Sequence, residues 1–185
     1  MRKLALIIAL LPLLIPGLAQ SRNNCLRVMP VNELTRNAIL IARVKVFRTE
    51  KARYKGLFNQ LATLRPVDVI EGDFTLTEIN VLARSNERCA EDNYIKDQEM
   101  LVFLEPEDSL FHTVNFQYGQ FLIVGDIVKG WRDKANNAVD KPYAEVRQEI
   151  TDYVKAARTP KTEGEPKPPA PQKPPAQPVK PPAIP

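Results

Sequence analysis

Ala38-Ile-Leu-Ile-Ala-Arg-Val-Lys-Val-Phe47 is the stretch on which the fold turns. It is rich in β-branched residues, and Val44 and Val46 alternate with Arg43 and Lys45 at the two-residue period of a half-buried strand. The segments that follow repeat the signal. Leu61 to Ile70 reads as a second strand, with Val67 and Val69 alternating around Asp68, and Glu71-Gly72-Asp73 supplies a turn. Thr77 to Ala83 reads as a third. Glu99-Met-Leu-Val-Phe-Leu104 reads as a fourth, its unbroken apolar run implies burial on both faces, and Pro106 is expected to end it.

Downstream, Gln120–Val124 and Ile127–Trp131 flank Gly125-Asp126, a two-residue loop suited to the primed turns that strand twist favours. Asp140 is expected to cap a helix beginning near Pro142. In that helix Tyr143, Val146, Ile150 and Val154 recur at three- and four-residue spacing and leave Glu145, Arg147, Glu149 and Lys155 outward. A shorter helix is expected from Val31 to Asn37. The expectation is one mainly β domain with a helix on either side of it.

The chain ends differ in composition from this domain. Met1-Arg2-Lys3 precedes an apolar run of about fifteen residues to Leu18, the length of a signal h-region and short for a membrane span. Gly17-Leu18-Ala19 offers small residues for cleavage after Ala19. Residues 1–19 therefore read as a signal peptide, 20–158 as the folded domain, and 159–185 as a Pro- and Lys-rich tail that has little to bury and stays disordered. Such a tail, extended at about 3.1 Å per residue, acts as a spacer. No membrane-spanning segment is expected after cleavage, and the protein is expected to be exported to a periplasm or outside the cell. The net charge of +4 arises mostly at the chain ends, from Arg2, Lys3, Lys161, Lys167, Lys173 and Lys180 set against Glu163 and Glu165. No concentrated basic face of the kind nucleic acid requires is apparent, so no nucleic-acid partner is expected.

Cys25 and Cys89 are the only cysteines. In an oxidising compartment they are expected to form one disulfide, which would close a loop of about sixty residues and stabilise the fold by about 4 kcal/mol. A redox role would favour a Cys-x-x-Cys pair, and a zinc site needs further ligands.

The order of features resembles the netrin-like module shared by netrin C-terminal domains and tissue inhibitors of metalloproteinases. The resemblance lies in Cys25, the helical Asn32-Glu33-Leu34, the strand Ala38–Phe47, the turn Val67-Asp-Val-Ile-Glu-Gly72, and Cys89 ahead of Met100–Leu104. Glu71 stands where that family usually has lysine. The resemblance implies an OB-like five-stranded β-barrel with the first and middle cysteines bridged, extended here by a C-terminal β-hairpin and packing helix. Inhibitors of that family chelate zinc through an N-terminal cysteine. Gln20-Ser-Arg-Asn-Asn ahead of Cys25 would block this geometry.

Candidate chemistry is sparse. His112 is the only histidine and is expected at a surface strand position. Glu105, Glu107 and Asp108 flank Pro106 in what reads as a solvated turn, and Ser85 and Ser109 lack an elbow motif. No phosphate loop is found, and neither a cofactor nor a metal is expected. The one basic run of the domain is Arg43, Lys45, Arg48, Lys51, Arg53 and Lys55, joined by Tyr54 and Phe58. Arg43, Lys45, Arg53 and Tyr54 are its candidate partner-binding residues. The same run also reads as a solvated strand edge, where lysines discourage edge-to-edge pairing. These features imply a non-enzymatic interaction module of the cell envelope that binds an envelope protein or an anionic glycan. A non-chelating protease inhibitor is the alternative, and an uncharacterised hydrolase would need a constellation that the residues do not offer.

Overall fold

A computed structural model of the protein describes residues 26–85 and 91–158. The elements are α1 (Val31–Asn37), β1 (Leu40–Tyr54), β2 (Phe58–Glu71), β3 (Ile79–Ala83), β4 (Glu99–Glu107), β5 (Leu110–Thr113), β6 (Gln120–Val124), β7 (Ile127–Arg132), β8 (Ala138–Pro142) and α2 (Tyr143–Arg158). The strands join in the order β1-β2-β3-β5-β4-β6-β7-β8, and a further pairing of β1 with β4 closes the first five into a ring. β3 and β5 run parallel, and the other pairs are antiparallel. The expected OB-like five-stranded barrel, β6–β7 hairpin and packing helix are all present. Cys25, Cys89, the signal segment and the tail lie outside the described residues. Among those described, no helix is long and apolar enough to cross a membrane.

Alternation along β1 and β4 builds two cores on either side of one wall. Leu40, Ala42, Val44 and Val46 of β1 face the barrel interior with Met100, Val102 and Leu104 of β4. Ile41, Leu101 and Phe103 face the other way, into a second core with Leu34, Trp131, Val146 and Ile150. The unbroken apolar run of β4 is thus buried on both faces, as its composition implies. Trp131 is fully buried against Phe121 and Phe103, and its indole N–H reaches Glu149 at 3.2 Å. In the β6–β7 turn both Gly125 and Asp126 have positive φ, as in type I′, one of the primed turns expected there.

Three expectations need correction. β4 runs through Pro106 to Glu107. The Leu104 carbonyl turns toward β1, where it accepts the Ile39 N–H, so two residues on the Pro106 nitrogen faces the same way. It lies beyond the last β1 pair, Leu40–Leu104, and no ladder donor is lost there. Asp140 is not a helix cap. It lies in β8, a strand too short and polar to announce itself, and its carboxylate accepts from Lys129 and from the Gly130 N–H. β1 also continues past Phe47 to Tyr54 through a run of charged residues, because β2 pairs with it along that length.

A polar clamp fastens α2 to the barrel. Asp68 of β2 accepts from the Tyr143 hydroxyl at 2.8 Å and from Arg147 at 2.7 Å. Burial alone would raise the Asp68 carboxyl, but Arg147, Tyr143 and nearby Arg43 outweigh it and hold the group below its ordinary value. A lowered carboxyl contributes stability above its ordinary pKa and loses that contribution as pH falls through the lowered value. Asp68→Asn should therefore lower stability by about 1 kcal/mol at neutral pH, allowing for the solvent that still reaches the pair. In urea titrations the difference from wild type should shrink toward pH 3. Gly72 closes the turn after β2 at φ +109°, where an added Cβ would come within 2.8 Å of the Ile39 carbonyl oxygen. Gly72→Ala should cost about 2–4 kcal/mol, against about 1 kcal/mol for Gly56→Ala, whose position is open; thermal melts would rank the two.

Candidate binding face on the first hairpin

β1 and β2 form a long hairpin that belongs to the barrel at its base. The β1–β4 ladder ends at Lys45–Glu99, and the N–H and C=O of Val46 are taken by Gln98 and Asp97. From Phe47 to Tyr54, β1 has β2 as its only strand neighbour among the described residues.

At the base of this outer half lies a groove of about 300 Å³ lined by Lys45, Val46, Phe47, Arg65, Pro66, Val67 and Asp97. Two irregularities in the ladder build it. The register steps from Val46–Leu64 to Arg48–Thr63, leaving Phe47 without a partner, and from Arg43–Asp68 to Val44–Pro66, leaving Val67 without one. Bulges re-aim the extra residue, and these two are exposed by 40% and 57%. The Arg65 guanidinium lies 3.5 Å from the Phe47 ring centroid and pairs with Glu78 at 3.2 Å. Lys45 stands opposite Arg65 in the ladder and makes no ion pair among the described residues. The groove therefore joins exposed apolar surface to two cations and a single lining carboxylate, Asp97.

The four residues singled out from the sequence fall in three places. Lys45 lines the groove. Arg43 is spent on the fold: it pairs with Glu99 and with Asp126, and stacks 4.7 Å over Tyr143. The Glu99 bond above all, with Asp126, raises its pKa further. Tyr54 sits at the hairpin tip, where its hydroxyl donates to Asp108, raising the phenol and lowering the carboxyl. Lys55 joins that tip by bonding Glu107 at 2.5 Å and Asp108 at 3.0 Å. Arg53 is exposed beside it. Sequence reasoning missed Phe47, Arg65 and Val67. Phe47 was legible, because it continues the wet-face phase of Arg43 and Lys45, where an aromatic is out of place.

Other candidate groups have structural partners. His112 is half-buried, not at the surface: its ring lies between Phe58 and Phe116, with Nε2 3.6 Å from Glu105. Glu105 and Glu107 belong to β4, and only Asp108 is in the turn. The Ser85 hydroxyl donates to Asn59. No group of three or more His, Cys, Asp or Glu among the described residues is placed to hold a metal ion. A second hollow of about 300 Å³, lined by Thr49, Lys51, Asn59, Gln60, Ser85 and Asn93 among others, is polar. Its amides are committed, Asn59 to Ser85 and Gln60 to Asn93 and Tyr94.

Set against known proteins, the chain matches no family model, and no curated protein matches it.

One buried carboxylate stands apart. Asp92 is fully buried, with one oxygen accepting the Arg84 N–H at 2.7 Å and the other without a hydrogen-bond partner among the described residues. Burial raises its pKa, and the surrounding polar groups, the Arg84 N–H first, offset this only in part. A raised carboxyl penalises the fold once it ionises, so its cost is absent in acid and grows as pH rises past the ordinary carboxylate range. Asp92→Asn keeps an acceptor for Arg84 and carries no charge to desolvate. It should stabilise the protein by about 1 kcal/mol at neutral pH and by nothing near pH 3, as read from urea titrations at the two values.

Proposed function

We propose that this protein is an exported, non-enzymatic interaction module that holds an anionic partner of the cell envelope on the groove at the base of the β1–β2 hairpin. One observation carries the reading. Two bulges present Phe47 and Val67 to solvent together in one groove with Lys45 and Arg65, while most large apolar side chains among the described residues are at least partly buried. Exposed apolar surface rimmed by charge is the composition of a contact site, and it is costly to maintain without a partner. Lys45 supports the anionic preference, since it is uncompensated by any ion pair among the described residues.

Each part of the groove would act differently on a partner. Phe47 and Val67 supply the area that association removes from water. Arg65, held over Phe47 and already paired with Glu78, would keep its fork oriented and recruit a carboxylate or sulfate without losing further side-chain freedom. Lys45 would steer approach through its charge and make the association salt-sensitive. The proline-rich tail, in this reading, sets the distance between the barrel and whatever holds the chain's end.

Isothermal titration of the mature protein against polyglutamate and a sulfated oligosaccharide tests the reading. Binding of at least one of them is expected, weakening with added salt. Lys45→Glu should weaken it about tenfold, and Phe47→Ala by a similar factor, each equivalent to about 1.4 kcal/mol. Absence of binding to both anions, or binding indifferent to Lys45→Glu in a variant with an unchanged melting curve, would refute it.

A further inference from the structure

The groove continues into a feature that a small anion does not need. Along β1 from Phe47 to Arg53 one edge of the strand carries no backbone partner among the described residues, because the β4 ladder and its extension at Val46 have ended. In a strand every second residue turns its N–H and C=O to the same edge, so about three donor and acceptor pairs face outward there. The edge begins at the groove holding Phe47 and ends at the tip where Tyr54 and Lys55 meet Asp108.

We propose that this edge accepts an extended acidic segment of a partner protein as an added strand. The inference rests on the anionic preference argued for the groove. Its side chains are Arg48, Glu50, Lys51 and Arg53, with Lys45 just before them, four cations to one carboxylate. Among the described residues Lys51 and Arg53 make no ion pair. Charges on an edge strand ordinarily prevent pairing, but they do so selectively. Arg48, Lys51 and Arg53 repel a second copy of this same edge while complementing a strand that carries Glu or Asp at alternate positions. The occupant would place its main chain against β1 and one apolar side chain in the groove at Phe47 and Val67. A glycan has no amide ladder to offer this edge, which is why a polypeptide is the better fit.

The test uses a fluorescent ten-residue peptide of alternating Glu and Val with one central Phe, followed by anisotropy and by hydrogen exchange of the protein. Micromolar binding is expected, with exchange slowed at Phe47–Arg53. The same peptide N-methylated at alternate residues, which removes ladder donors and keeps the charge, should bind at least tenfold more weakly. Lys51→Glu with Arg53→Glu should also weaken binding at least tenfold, and a Lys–Val peptide should not bind. Equal binding of the N-methylated peptide, failure of the Glu–Val peptide to bind, or no protection at Phe47–Arg53 would overturn the proposal. If the peptide fails while a sulfated oligosaccharide binds in a Lys45-dependent way, strand addition is wrong and the groove reading stands. If neither ligand binds, both are wrong.

Discussion

The pairing of Leu40–Lys45 with Leu104–Glu99 is the constraint on which the rest of the structure depends. It joins segments more than fifty residues apart, so its closure entropy must be met before the contacts it enables can form. Without it the strands would form an open sheet with β1 as an exposed, apolar edge. With it, β1 and β4 become a wall whose two faces are both dry, and the chain can fill a barrel on one side and seat two helices on the other. β4 then serves several neighbours: its first half pairs with β6, and its second half with β5.

That double duty explains where polar chemistry can and cannot lie. Charge enters this wall only at Arg43, Lys45 and Glu99, toward the end where the β1–β4 ladder stops. Arg43, opposite Leu101 in the ladder, is neutralised by Glu99 and Asp126 while it braces Tyr143. Asp68 does the complementary work from β2, receiving Tyr143 and Arg147 of the terminal helix. These residues hold two layers in register, and with Arg43 committed to them the cations of β1 that make no ion pair among the described residues lie at Lys45 and along the outer hairpin.

Much of the architecture could be read in the residues because it rests on periodicity. The Val44–Val46 alternation, the apolar run of β4, the Gly125-Asp126 loop and the Tyr143–Val146–Ile150 stripe each specify their element locally. What escaped depended on partners distant in sequence. β8 is a strand because β7 lies beside it, and the outer half of β1 because β2 does. The basic run pointed to the hairpin that carries the groove but not to the division of labour within it. Arg43 and Lys45 look alike as a pair in one phase, and only the approach of Glu99 and Asp126 separates a brace from a side chain with no ion pair among the described residues. Arg65 gave no signal of its own, since its value lies in stacking on a Phe47 contributed by the other strand.

The bulge at Phe47 carries a consequence beyond the groove it opens. Up to Val46 the even-numbered residues of β1 are apolar and face the barrel interior; the next two even-numbered residues, Arg48 and Glu50, are charged. In an unbroken ladder the two sets would point the same way, and Arg48 and Glu50 would be driven toward the interior side. One unpaired residue resets the phase. It lets Arg48 lie outside against the Thr63 hydroxyl while Val46 remains inside. The single extra residue thus reverses the parity between Val46 and Arg48, and it lets a barrel stave continue as a wet, cationic arm.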